Sequence, residues 1–114
     1  MKFPSLTIID LKNESTAHTA EYANLPLCLV NDHVVRMSVM TEPFYWHLHP
    51  NSDEVFLVVE GGLYFDFETY TVELLVGQLF AIPKNVKHRT RPKGARSANL
   101  TFEYGALETV KLPA

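Results

Sequence analysis

Four side chains in this sequence combine type and spacing in a way that can do chemistry. His47 and His49 are separated by one residue. On a β-strand, residues i and i+2 leave the same face about 7 Å apart, so two imidazoles at this spacing converge on one point. On a helix the same spacing would splay them. The stretch Tyr45-Trp46-His47-Leu48-His49 reads as a strand that Pro50 ends. Glu54 follows across a short Pro50-Asn51-Ser52-Asp53 turn and opens the next strand. Its neighbour Asp53 is a competing carboxylate, because adjacent strand residues face opposite ways and the apolar run after them does not choose. His88 stands after the turn signal Pro83-Lys84-Asn85, at the start of a further predicted strand. Three imidazoles and one carboxylate suit one divalent ion of iron, manganese, cobalt, nickel, copper or zinc. Calcium and magnesium prefer oxygen ligands.

Such a cluster needs a strand-built frame, and the sequence predicts one. Short apolar runs at 6–9, 25–30, 34–40, 44–49, 54–60, 63–68, 71–75, 78–82, 87–91 and 99–104 read as strands. Between them stand turn signals such as Asn31-Asp32, Pro43, Gly77 and Pro92-Lys93-Gly94. Many short strands at this density predict an antiparallel all-β sandwich or barrel. Gly61-Gly62 reads as a two-residue hairpin turn. Residues 11–24 are polar and read as a loop with a helical turn in it. Residues 55–59 and 79–82 are apolar at every position, whereas a half-exposed antiparallel strand alternates. Both runs are therefore expected to be covered on two faces, one by the barrel interior, the other by a second sheet or a second copy of the chain. A homodimer is expected on that ground.

Composition narrows the class. The chain has 114 residues, the size of one domain (1–114), with 46 % hydrophobic and 20 % charged residues, which argues for a folded globule. A net charge of −3 and a pI near 5.9 lack the basic footprint of a nucleic-acid binder. Cys28 is the one cysteine, so no internal disulfide forms; a reducing, cytoplasmic setting and a buried thiol are expected. No run approaches the ~20 apolar residues of a membrane span, and residues 1–10 lack the pattern of a signal peptide.

Two longer patterns then resemble a known family. His47-x-His49-x(4)-Glu54-x(6)-Gly61 resembles the first motif of the cupins, and Gly77-x(5)-Pro83-x-Asn85-x(2)-His88 resembles the second. The motifs span 47–61 and 77–88, at the separation found in small single-domain cupins similar to phosphomannose isomerase. Three positions depart from the family pattern: Thr41 and Asn85 stand where glycine is usual, and Pro92 stands where asparagine is usual. None is at a ligand position, and Asn at position 85 tolerates the positive φ that the family's glycine supplies. The resemblance implies a jelly-roll β-barrel with one metal ion inside, held by His47, His49, Glu54 and His88. It selects Glu54 over Asp53. It also implies open coordination positions for water, oxygen or a bidentate substrate.

Other residues receive plainer expectations. His18 and His33 lie in polar text and are expected at the surface. Lys84, Lys87, Arg89, Arg91, Lys93 and Arg96 can form an anion-binding mouth, but an inward His88 turns Arg89 and Arg91 outward, which favours a solvated or subunit-facing surface. Tyr45 shares parity with His47 and is expected inside. Arg36 and Ser38 share one strand face, Val35, Met37 and Val39 the other; the sequence does not say which face lines the cavity. No catalytic base is marked, and Glu60, Tyr64 and Glu68 cannot be placed. The function expected is a metalloenzyme, dioxygenase- or isomerase-like, acting on a small organic molecule. The alternative is a non-catalytic barrel that binds or senses a sugar or carboxylate; with no helix-turn-helix segment, sensing would need a partner protein.

Overall fold

In the computed structural model, which describes residues 3–114, a short helix precedes ten strands. In chain order these are α1 (Leu11–Ala17), β1 (Tyr22–Val30), β2 (His33–Met40), β3 (His47–Leu48), β4 (Glu54–Glu60), β5 (Gly62–Asp66), β6 (Thr71–Leu75), β7 (Leu79–Ile82), β8 (Arg89–Pro92), β9 (Ser97–Tyr104) and β10 (Val110–Lys111). The strands form a five-stranded sheet in the order β1-β2-β9-β4-β7, a three-stranded sheet β6-β5-β8 and a small β10-β3 pair. All pairings among the described residues are antiparallel. Sheet order that departs from chain order, with β9 between β2 and β4, is the wound arrangement of a jelly roll rather than a meander.

Side-chain alternation divides the apolar residues into two groups. Between the sheets, Met40, Phe56, Val58, Leu63, Phe65, Leu74 and Ile82 pack together. On the outer face of the five-stranded sheet, Leu27, Val35, Met37, Val39, Ala98 and Leu100 form a second cluster. Phe3, Ile9 and Leu11 of the N-terminal segment pack on that outer cluster, as do Leu57 and Val59 of β4. Each such side chain, fully buried, contributes roughly 1.5–3 kcal/mol of transfer free energy. The N-terminal segment is anchored through α1. Asp10 caps the helix by accepting from Asn13 N (2.9 Å), and Arg96 donates to the Ser15 and His18 carbonyls at its other end and pairs with Glu60.

Several expectations need correction. Gly61-Gly62 is not a hairpin turn: β4 and β5 belong to different sheets, and Gly61 is the corner between them. It has φ +73°, and a Cβ there would stand 2.4 Å from the Arg96 carbonyl oxygen. Residues 6–9 form no strand; Leu6 lies at φ +63°, which interrupts an extended run, and the segment lies on the sheet as an unpaired strap. The helical turn anticipated in 11–24 is α1, and β1 begins at Tyr22 rather than at 25. Only His47–Leu48 of the run 44–49 is strand, and His88 precedes β8. For 55–59 the double cover is found within one chain: Phe56 and Val58 face inward, while Leu57 and Val59 are half-buried outside. For 79–82 the outer face is left uncovered within the chain: β7 is an edge strand with Leu79 and Ala81 exposed. Cys28 is half-buried rather than buried.

Candidate metal centre

The inner face carries apolar residues at one end and polar ones at the other. Register explains the polar end. Glu54 opposes Glu103, Arg36 opposes Thr101 and Ser38 opposes Asn99 across the β4-β9 and β2-β9 ladders. With Val35, Met37 and Val39 outside, Arg36 and Ser38 face in. His47 and His88 approach from the other wall. Each donates its backbone N–H to the other's carbonyl at 2.9 Å, an isolated bridge that fixes the two side chains beside each other. Asn85 sits at φ +67°, as anticipated, and donates its N–H to the His49 carbonyl at 2.9 Å. Glu54 opens β4 after the turn; Asp53 points away, exposed, and accepts from Lys84 N at 2.9 Å.

The four residues singled out from the sequence meet. His47, His49, Glu54 and His88 are all buried, and one ligand atom from each lies within 4.8 Å of the others. His47 Nδ1 is 2.8 Å from the Tyr45 carbonyl, His49 Nδ1 is 3.0 Å from that of Glu108, and His88 Nδ1 is 2.8 Å from that of Val86. A carbonyl only accepts, so each Nδ1 carries a proton, and in the neutral imidazole Nε2 keeps the lone pair that a metal takes. Glu54 Oε1 stands 3.3 Å from His49 Nε2 and 3.9 Å from His88 Nε2. Neither Glu54 Oε1 nor His88 Nε2 makes a hydrogen bond, although both are buried. Donors sharing one ion at 2.0–2.2 Å stand at most about 4.4 Å apart, so small side-chain shifts fit this set to a transition metal. Orphaned buried lone pairs are costly, and a cation satisfies them together.

Burial and neighbouring charge shift these groups in different directions. Burial, more than any other influence, pushes His47 down to about 4. Burial also lowers His88. For His49 burial acts in the same direction, but the Glu54 carboxylate beside it prevails and raises it. Burial disfavours ionised Glu54, yet His49, Glu103 and His88 outweigh it and hold the carboxyl below its ordinary value. Burial and then Glu54 push Glu103 up to about 9, so a carboxylic acid and a carboxylate lie side by side at neutral pH.

A cavity of about 380 Å³ opens onto this cluster, within the range of small-molecule sites. Arg36, Ser38, Asn99, Thr101 and Glu103 line it opposite the histidines. Asn99, Thr101 and Glu103 were not singled out from the sequence. Their polar alternation with Leu100 and Phe102 along one strand was the available signal, since a strand face polar at every second position must meet water or a ligand. Tyr45 lines the cavity but is 39 % exposed, stacked on Phe44 with ring centroids 4.1 Å apart. The basic run 84–96 lies outside the cavity, as expected: Arg89 and Arg91 bind Asp66, Lys93 binds Glu73, and Lys87 lies over the Trp46 ring. Glu60 is exposed against Arg96, and Glu68 is exposed; neither they nor Tyr64 lines the cavity. His33 is exposed as expected, whereas His18 is half-buried at the end of α1.

Comparison with known proteins is decisive for the family: the model of the cupin domain matches residues 33–102. The chain belongs to the cupin family. This cupin is 44 % identical over 91 residues to the uncharacterized protein YdbB of Bacillus subtilis (strain 168), covering 79 % of this chain and 80 % of that one. It superposes on a cupin-2 domain containing protein from Shewanella frigidimarina NCIMB 400 with a TM-score of 0.80 and 26 % identity, covering 85 % of this cupin and 94 % of that chain. The DMSP lyase DddQ from Ruegeria pomeroyi DSS-3 shares the fold at a TM-score of 0.68 and 20 % identity, covering 80 % of this cupin and 51 % of that chain.

Proposed function

We propose that this cupin holds one divalent transition metal ion on His47, His49, Glu54 and His88 and acts as a metalloenzyme on a small organic molecule. The observation that carries the reading is the convergence of three imidazole Nε2 atoms and one carboxylate, with every Nδ1 already committed to a backbone carbonyl. Such second contacts orient ligating histidines and raise their basicity. Bound there, the ion supplies Lewis-acid polarisation for an isomerisation or elimination, or dioxygen chemistry if it is iron or manganese. The protein's part is a cavity of about 380 Å³ that admits a small molecule beside the cluster, with Glu103 and Thr101 within the same polar wall. A lyase among the fold neighbours is compatible with an enzyme but selects no reaction.

Elemental analysis of chelator-free protein against a His47→Ala/His49→Ala double variant tests the site. Near-stoichiometric transition metal in the parent, lost in the variant, is the expected result. A parent that takes up none, even after reloading with each candidate ion, overturns the reading and leaves a metal-free binding barrel.

The homodimer belongs to the same proposal. Its support is the strap that precedes α1: Leu6 and Ile8 are fully exposed, while Ile9 packs on the outer cluster. Large apolar side chains held out from a docked segment are suited to cover by a second copy.

A further inference from the structure

We propose that the ligand of this cavity is an anion, a small hydroxycarboxylate whose carboxylate is bound by Arg36 and whose hydroxyl donates to Asn99. The inference rests on the metal reading above for its charge balance, and on Arg36 and Asn99 for its site.

Among the described residues, Arg36 is the only Lys or Arg that lines the cavity. The basic side chains of 84–96 that pair with carboxylates do so outside it. Arg36 is weakly engaged. Its Nε stands 3.5 Å from Glu103 Oε1, and its guanidinium makes no hydrogen bond among the described residues. A guanidinium has five donors in a planar fork that matches a carboxylate, and one long contact leaves that fork unused. Charge points the same way. A divalent ion with Glu54 leaves one positive charge, and Arg36 adds a second. Glu103, the remaining acidic residue in the lining, removes at most one. The cavity thus carries a net positive charge that a mono- or dianion neutralises, in a partly buried setting where such a pairing is screened little.

Asn99 supplies an independent observation. It is 1 % exposed and lines the cavity, yet its Oδ1 has no hydrogen-bond partner, and its Nδ2 has only a 3.4 Å contact to the Leu100 carbonyl. Either orientation of the amide leaves a buried polar atom without a good partner, which calls for a polar group from the ligand. Asn99 faces Ser38 across the ladder, and Arg36 lies two residues from Ser38 on the same face, so the two reading groups share one wall.

The test is calorimetric titration with glycolate, lactate and glucuronate, and with their uncharged amides, of the parent and of Arg36→Gln, Arg36→Lys and Asn99→Ala. Metal content is measured separately for each protein. We expect the acids to bind the parent and Arg36→Gln to weaken them about 10–100-fold, the value of a charged hydrogen-bond pair, with the amides unaffected. Arg36→Lys keeps the charge, loses the fork and falls between; it also carries the test if Arg36→Gln does not fold. Asn99→Ala weakens glycolate more than acetate, which is titrated beside it as the acid without a hydroxyl. Acids that bind Arg36→Gln as tightly as the parent, or amides that bind the parent as tightly as the acids, overturn the proposal, as does a parent that binds none of the three acids. Chelator treatment is expected to weaken the acids, since the ion's charge is lost, with Arg36→Gln weakening them further; failure to take up metal refutes the metal site alone, and equal binding of the acids by parent and Arg36→Gln refutes this proposal.

Discussion

Gly61 shows how one residue decides a chain path. Its φ of +73° costs a glycine nothing, but the tighter constraint is the Arg96 carbonyl, 2.4 Å from where a Cβ would stand. Gly77 has a similar φ, +84°, with nothing within 4 Å of its would-be Cβ. Gly61→Ala is therefore expected to destabilise by roughly 2–5 kcal/mol, strain plus overpacking, and Gly77→Ala by about 1 kcal/mol. Denaturant unfolding of the two variants measures the difference; equal losses would show that φ alone matters. Side-chain roles at this scale were legible only where types were unusual. His47, His49, Glu54 and His88 stand out because imidazoles at strand spacing are rare in apolar text. Glu103 does not, because a single carboxylate late in a strand looks like any exposed one; its burial depends on facing Glu54 across a ladder.

At the level of elements, β5 and β8 are joined outside the barrel by Asp66. Its carboxylate takes Arg89 Nε at 2.9 Å and Arg91 Nε at 2.8 Å, and Thr71 donates to it from β6 at 2.7 Å. The Arg91 guanidinium is the chief reason that Asp66 lies well below the ordinary carboxylate range, with Thr71 and Arg89 adding to it against the opposing effect of burial. A depressed folded-state pKa contributes stability above the unfolded value, and that contribution is lost as pH falls through the folded one. Asp66→Asn should thus cost roughly 1–3 kcal/mol at pH 7, less than a fully buried pair because both guanidiniums are a third exposed. The gap between parent and variant should narrow only below about pH 4, where an ordinary aspartate begins to protonate. Urea midpoints from pH 7 to pH 2 measure it, and a gap independent of pH would sink the ion-pair account. Strand existence was readable from apolar runs and turn residues, but pairing was not. Gly61-Gly62 has hairpin composition, and only the sheet assignment of β4 and β5 shows it to be a corner.

For the molecule as a whole, the proposed dimer is tested by light scattering coupled to size exclusion. A mass near twice that of the 13.0 kDa chain is expected, falling toward one chain in Leu6→Asp/Ile8→Asp. A monomeric parent would show that the strap covers only its own sheet. No helix among the described residues is long and apolar enough to cross a membrane. Local information in the sequence predicted the antiparallel all-β class and picked out the three clustered histidines, because residue type, strand period and turn chemistry act over a few neighbours; the two longer motifs carried the family resemblance, and with it the choice of Glu54 over Asp53. Which face of β2 is wet, whether the strap pairs, and what stands across the cavity from the histidines depended on the packed structure. Those features are set by which strands become neighbours, as β9 does between β2 and β4, and residues some sixty apart in the chain, such as Arg36 and Asn99, come to share one wall only through that pairing.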